Sequence, residues 1–265
     1  MYKKILHWLK IICYFTSNFK SRMAFFLFVV ATKVKQKFSF CKKKERALSL
    51  RLFGHDSMIF LMEDSDELQT LIMIFYEQEY AFDGGYEAGD GAVMDIGANI
   101  GLACIFFALR FPEKKIIAYE PNIEIIERLS RNTSTFPNIT IRNTVVSDIE
   151  GRVSFYVSPT RSISSSMSNR GENFIKKEVE STTLDHEIKC LGGSVDIIKF
   201  DVEGAEYTLF KASELIGRCR AIVGEIHWDL LPIDTEQFYR LFESRFDKVD
   251  IKIGKKRSIT AFIRV

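Results

Sequence analysis

From Val93 onward, short apolar runs alternate with segments of helical spacing, and glycine, proline or an acid marks each switch. Val93-Met94-Asp95-Ile96-Gly97-Ala98-Asn99-Ile100-Gly101 reads as strand, tight turn and helix start. Leu102 to Leu109 is apolar on every side, which predicts a helix buried against a sheet. Ile116 to Tyr119 predicts a second strand ending at Glu120. Pro121 is tolerated in a first helical turn, and Ile123, Ile126 and Leu129 then recur at helical spacing, with Glu124 and Arg128 expected as an outward pair. Ile139 to Ile141 with Val145-Val146 predicts a third strand region closing on Ser147-Asp148. Val153 to Val157 predicts a further short strand after the turn at Gly151.

Ser158 to Asn169 is serine-rich without periodicity and reads as a loop. Asp196 to Phe200 predicts a buried strand that runs into Asp201-Val202-Glu203-Gly204-Ala205-Glu206, followed by a helix over Tyr207 to Leu215. Ala221 to Ile226 predicts another strand, with Glu225, His227 and Trp228 at its end. Asp234 and Gln237 are spaced to cap a helix carrying Phe238, Leu241 and Phe242. Two alternating runs either side of Gly254-Lys255-Lys256-Arg257 predict a terminal hairpin. The composite is βαβαβ…βαβαββ: an α/β Rossmann-like layout with a mainly parallel sheet and an antiparallel end.

The N-terminal fifty residues differ in kind. They carry twelve Lys or Arg and one acid, a net +11, so the remaining 25 basic and 34 acidic residues leave 51–265 at −9. The division expected from this is a basic, apolar segment at 1–50 and a main domain at 51–265. An acidic body excludes a nucleic-acid groove running across that domain. Within the segment, Ile11 to Phe19 and Met23 to Thr32 are each shorter than the roughly 20 apolar residues that span a bilayer. Joining them places Lys20 and Arg22 near mid-membrane, at about 2.5–3.5 kcal/mol each. The same charges interrupt any signal-peptide core that would follow Lys3-Lys4. The segment is therefore expected to lie on an anionic membrane surface through residues 1–45, with Trp8, Phe15, Phe19, Phe25 and Phe26 in the headgroup boundary; a helical lid is the alternative. Glu63-Asp64-Ser65-Asp66-Glu67 lacks calcium-loop spacing and reads as a solvated helix start, and Asp83 to Gly91 as a turn-rich passage.

Five widely spaced cysteines, odd in number and without a CxxC pair, give neither a disulfide framework nor a zinc site. A reducing compartment fits them, which makes the sequons at Asn132 and Asn138 incidental. The expected location is cytoplasmic, peripheral on the inner face of a membrane.

The candidate chemistry lies where strand carboxyl ends feed helix N-termini and unpaired backbone N–H groups face a crevice. The turn is Gly97-x-x-x-Gly101, without the central glycine that lets a backbone approach a pyrophosphate. Asp95 beside it repels a diphosphate and suits a cationic group, an ammonium with a nearby sulfonium. Glu120 is placed to accept two ribose hydroxyls, which identifies a ribose but not the cofactor that carries it. That missing glycine weighs against a nicotinamide-linked oxidoreductase.

At these residues the chain resembles the FkbM family of S-adenosylmethionine-dependent methyltransferases. The matching blocks are Val93 to Gly101, Ala118-Tyr119-Glu120-Pro121-Asn122, Val145 to Asp148 followed by Gly151, Thr182 to Asp185, Val195 to Glu206 and Val223 to His227. They cover about residues 75–228 in the family's order and spacing. The resemblance implies a class I methyltransferase fold, S-adenosyl-L-methionine as cofactor and O-methylation, commonly of sugar hydroxyls in polysaccharides, glycolipids or natural products. It places Asp95, Gly97, Ala98, Asn99 and Gly101 along the methionine part, Glu120 on the ribose with Asn122 beside it, and Ser147 and Asp148 at the adenine. Asp201, Glu203 and His227, at strand ends facing the sulfonium, are the candidates for the transfer centre. Asp201 comes first, and His227 is a candidate base. Glu203 and Glu206 suit orienting the acceptor or, with Asp201, holding a divalent ion, although no metal is expected. Asp185 reads as a helix-cap or turn residue. The acceptor, a glycan or small molecule, has no recognisable code in the chain. A non-catalytic cofactor-binding scaffold and a methyltransferase of a non-sugar compound are the rival readings.

Overall fold

A computed structural model of the protein describes residues 2–37, 45–82, 89–158, 165–166 and 174–265. Residues 83–88 of the turn-rich passage, and 159–164 and 167–169 of the serine-rich stretch, lie outside the described residues. Contacts divide the chain into two units, Met1–Glu79 and Tyr80–Val265. Residues 51–79, which the charge pattern attached to the main domain, thus share their contacts with the N-terminal helices.

In the first unit, α1 (Tyr2–Phe15) and α2 (Phe19–Lys37) precede a hairpin of β1 (Arg46–Leu52) and β2 (His55–Met62), then α3 (Ser65–Leu71), which widens into a π turn over Ile72–Tyr76. Phe53 and Gly54 both have positive φ, the conformation a two-residue hairpin loop requires. Leu48, Leu50 and Leu52 alternate along β1 and are buried, as are Ile11, Phe15, Phe25 and Phe28 from the helices. Phe15 and Phe25 pack ring against ring with centroids 5.8 Å apart. These two rings therefore belong to a core, not to the headgroup boundary expected for them. Phe19 and Phe26 are exposed, and the half-buried Trp8 ring lies 4.0 Å from the Lys33 ammonium. The acidic patch is a helix start, as expected, with Asp64 accepting from the N–H groups of Asp66 and Glu67, but it is not the solvated one expected, since Glu67 is buried. Among the described residues, no helix is long and apolar enough to cross a membrane.

The second unit holds the βα alternation. Its elements are β3 (Ala92–Ile96), α4 (Leu102–Arg110), β4 (Ile116–Tyr119), α5 (Ile123–Thr133), β5 (Ile139–Arg142), β6 (Val145–Ser147), β7 (Gly151–Val157), β8 (Ser165–Ser166), β9 (Ile175–Thr183), α6 (Leu184–Cys190), β10 (Val195–Phe200), α7 (Glu206–Lys211), β11 (Cys219–His227), α8 (Thr235–Tyr239), β12 (Phe246–Lys252) and β13 (Arg257–Arg264). Seven strands form one sheet in the order β12-β13-β11-β10-β3-β4-β5. From β11 to β5 the strands are parallel, while β13 runs antiparallel to both its neighbours. This is the Rossmann-like class I methyltransferase fold that the resemblance implies, antiparallel terminal hairpin included. β3, β4 and β10 are buried along their whole lengths, and Phe200, Phe210, Phe238, Phe242 and Phe262 fill one core cluster against them.

Three local expectations are corrected. The third strand region is two strands in two sheets, because β5 closes the main sheet whereas β6 joins a four-stranded sheet ordered β6-β9-β7-β8. Arg128 does not face outward with Glu124. It is buried, and Glu124 instead pairs with Lys177 at 2.6 Å. The helix after Glu206 stops at Lys211 rather than Leu215, since the Asp185 carboxylate accepts from the N–H groups of Glu214 and Leu215 and the Ser213 hydroxyl, drawing the chain out of the helix. Asp185 is thereby a turn-holding residue, and Thr183 is the N-cap of α6.

Candidate functional site

Because β4, β3, β10 and β11 are parallel neighbours, their carboxyl ends lie side by side along one edge. At the end of β3 the chain turns through Gly97 at φ 81°, Asn99 at φ 49° and Gly101 at φ 90°. A Cβ on Gly97 would stand 2.1 Å from the Asp201 carbonyl oxygen, so the glycine is what lets this turn lie against the end of β10. The N–H groups of Gly97 and Ala98 both donate to the Tyr119 carbonyl at 3.0 Å, tying the turn to β4.

Glu120, at the end of β4, holds the other side. Its two oxygens accept from the N–H groups of Asn99 at 2.9 Å and Asn122 at 2.8 Å, and the Asn143 side chain donates to its carbonyl. Burial pushes its carboxyl up to about 7, against the opposing pull of the two backbone donors and the Lys199 charge. Asn122 is the N-cap of α5. The side-chain oxygen of Asn99 is buried without a hydrogen-bond partner.

Asp95 is not the bare anion expected beside the loop. It is fully buried on β3, directly opposite Lys199 on β10, whose ammonium lies 2.9 Å from one carboxylate oxygen. The other oxygen accepts from the Cys104 thiol, and Lys199 donates in turn to the Gly97 carbonyl at 2.8 Å. Burial and the Asp95 charge hold that thiol well above the usual cysteine range. Burial opposes the charge on Lys199, but Asp95 and Asp201 outweigh it and raise its pKa. The pair neutralises the turn's interior and braces it. A lysine in the otherwise apolar run Ile197-Ile198-Lys199-Phe200 signals a buried anion partner, yet which anion depends on strand register.

The third group gathers at the ends of β10 and β11. His227 is completely buried, and its Nδ1 lies 2.7 Å from the equally buried Glu206 carboxylate, which also accepts from the Gly204 N–H. The opposite ring nitrogen, Nε2, lies 3.6 Å from Glu203, 3.9 Å from Asp201 and 4.0 Å from Glu225. Glu203, at φ 52°, and Gly204, at φ 100°, bend the chain back toward the strand end. Burial works to lower the His227 pKa, but the hydrogen bond to Glu206 and the charges of Asp201, Glu206 and Glu203 outweigh it and raise the value to about 9. Burial and the Asp201 charge likewise lift Glu225 to about 7. Arg257, on the adjoining end of β13, reaches Glu225 at 3.4 Å. Glu225 and Arg257 complete a cluster from which sequence reasoning selected only Asp201, Glu203, Glu206 and His227.

The structure brings Gly97, Ala98, Asn99 and Glu120 together, sets Asp201 and Glu203 at the end of the adjoining β10 and His227 on β11 beyond it, and keeps Asp95 within the sheet. Ser147 is buried, its hydroxyl engaged with Ser181 at 2.7 Å and with the backbone of Ile149. Asp148 is exposed just beyond β6.

The family model described as Methyltransferase FkbM domain matches residues 95–249, more than half of the chain, including the carboxyl ends of β3, β4, β10 and β11. The chain is similar to the AMB antimetabolite synthetase AmbE of Pseudomonas aeruginosa, with 27% identity over 194 residues, 58% of this chain and 9% of that protein. It is similar to the hexuronic acid methyltransferase AglP of Haloferax volcanii, with 28% identity over 153 residues, 55% of this chain and 60% of that protein. The chain therefore spans less than two thirds of either curated relative. The crystal structure of Methyltransferase FkbM from Methylobacillus flagellatus matches with a TM-score of 0.46 at 15% identity, over 65% of this chain and 43% of that one.

Proposed function

The chain belongs to the FkbM methyltransferase family, and on that premise we propose that it uses S-adenosyl-L-methionine to methylate a hydroxyl of a carbohydrate-containing acceptor. The observation that carries this reading is the continuity of the strand edge: a glycine turn and a buried carboxyl on β3 and β4 adjoin an acidic, histidine-bearing cluster on β10 and β11. The residues fit the cofactor. Glu120 keeps further lone pairs beyond the two N–H groups it already accepts from, and the orphaned Asn99 oxygen and the small Gly97 and Ala98 suit an amino-acid moiety. Bound S-adenosylmethionine supplies an electrophilic methyl group on a sulfonium.

The protein's own share is chiefly positioning, which contributes up to roughly 7–11 kcal/mol in well-oriented reactions. A base adds about 10²–10⁴-fold by accepting the hydroxyl proton as the oxygen attacks. His227, raised to about 9, is protonated at neutral pH and so cannot accept that proton. Asp201 can: its side chain is one-third exposed at the open side of the cluster. In this mechanism the exposed side of the Asp201 carboxylate takes the proton, Glu203 orients the acceptor, and His227 stays charged between Glu206 and the open side. Similarity to a hexuronic acid methyltransferase supports a sugar acceptor. Mass spectrometry of surface glycans and glycolipids from cells with and without the gene tests this: one glycan should lose a methyl group, and unchanged glycans contradict the sugar assignment.

The first unit bears on where the acceptor is met. Ile5, Leu9, Phe19, Met23, Phe26 and Leu27 are exposed on α1 and α2, in a segment of net +11. An apolar helix surface ringed by cations suits the headgroup boundary of an anionic membrane, and a peripheral enzyme on an inner membrane face follows from it.

A further inference from the structure

We propose that the cluster at the ends of β10 and β11 is a divalent-cation site, in which His227, Asp201 and Glu225 bind the ion and Glu206 holds the histidine in place. One ligand atom from each of the three lies within 4.8 Å of the others. The histidine makes this more than a group of acids. Its ring is completely buried, yet Nε2 has no hydrogen-bond partner, and carboxylates stand around that nitrogen at 3.6, 3.9 and 4.0 Å. Those distances are too long for hydrogen bonds. They match the spacing of atoms sharing one ion, since bonds of about 2.1 Å separate adjacent ligands by about 3 Å and opposite ones by about 4.2 Å. An oxygen of Asp201 is also buried without a partner.

The surroundings are those of a metal-binding histidine. With Nδ1–H held by Glu206 at 2.7 Å, Nε2 faces the carboxylates and releases its proton when an ion binds there, and such a carboxylate behind the ring then fixes both its orientation and its tautomer. Arg257 lies 3.4 Å from the outer oxygen of Glu225, leaving the other oxygen toward His227. Asp201 is one-third exposed, so one side of the site stays open. One imidazole with carboxylate oxygens suits a first-row divalent ion such as Mn2+ better than an all-oxygen Ca2+ cage. This departs from the expectation of no metal, and from the Asp201, Glu203 and Glu206 set that the sequence offered. Resting on the methyl-transfer reading, the ion's role is to take an acceptor hydroxyl in its open position, lowering the hydroxyl pKa and fixing the oxygen for attack; Asp201 then binds the ion and leaves proton removal to bulk base.

The test is titration of Mn2+ into the metal-stripped full chain, followed by electron paramagnetic resonance. The expected result is one bound ion per chain with nitrogen hyperfine coupling from an imidazole. Affinity should fall at least about tenfold in Asp201→Asn and in Glu225→Gln, and about 10–100-fold in Glu206→Gln, each variant first shown to keep the wild-type circular dichroism. Absence of bound Mn2+ in the wild type, or affinity unchanged in both Asp201→Asn and Glu225→Gln, overturns the site. Calorimetry with S-adenosylhomocysteine on the same samples separates the two readings. Nucleoside binding without Mn2+ binding overturns the metal alone; Mn2+ binding without nucleoside binding supports the site and overturns the role assigned to it.

Discussion

Two charged side chains at the strand ends, Glu120 and His227, are held in states that their sequence neighbours do not reveal. Glu120, lifted to about 7 by burial, is the residue on which a ribose would depend. Its replacement by alanine removes charge-assisted hydrogen bonds of about 1.5–3 kcal/mol, so Glu120→Ala should weaken S-adenosylhomocysteine binding by roughly 10- to 100-fold in calorimetry; unchanged affinity refutes the ribose assignment. His227 has an ordinary value of 6.5 and a folded value of about 9. The folded state therefore binds the extra proton between these limits. This contribution to stability is complete below about pH 6.5 and is lost as pH rises through about 9. Thermal melts of metal-free protein should shift downward over that window, and His227→Gln should flatten the decline; a flat wild-type profile contradicts the proton assignment. Glu120, Asp201 and His227 were legible in the sequence because each follows an apolar run directly, which places it at a strand end. Lys199 was not, because its partnership with Asp95 is a matter of strand register.

At the scale of elements, the periodic segments were legible and the polar ones were not. β3, β4, β10 and β11 carry mostly apolar runs, and α4 is buried on all sides, so their patterns name them. β9 is a nine-residue strand of sequence IKKEVESTT whose residues, apart from Ser181, stay partly or fully exposed. With so few buried side chains it has no alternating signal to read. β1 does alternate, with Leu48, Leu50 and Leu52 buried, but the hairpin it opens turns at Phe53-Gly54, and phenylalanine is not a typical turn former. The turn after β3 is the element most sensitive to substitution. Gly97→Ala adds a Cβ that collides with the Asp201 carbonyl, at a φ of 81° that L side chains rarely adopt. A destabilisation of about 1–3 kcal/mol is expected in denaturant unfolding, and a loss under about 0.5 kcal/mol would show that the turn rearranges freely.

For the whole molecule, charge asymmetry marked two regions, but contacts place their boundary near Glu79 rather than residue 50. Composition sees the lysines, whereas the unit is closed by the apolar faces of β1, β2 and α3. The exposed rings predict partition onto anionic vesicles. In the full chain, Phe19→Ser combined with Phe26→Ser and Leu27→Ser should reduce sedimentation with phosphatidylserine-containing vesicles, and equal sedimentation contradicts the surface reading. The central claim is narrower and concerns the second unit: the edge shared by β4, β3, β10 and β11 holds S-adenosylmethionine. Calorimetric titration of the full-length chain with S-adenosylhomocysteine measures this directly. Saturable binding at one site per chain is the predicted result, and a titration without binding heat or saturation, on folded protein, would contradict it.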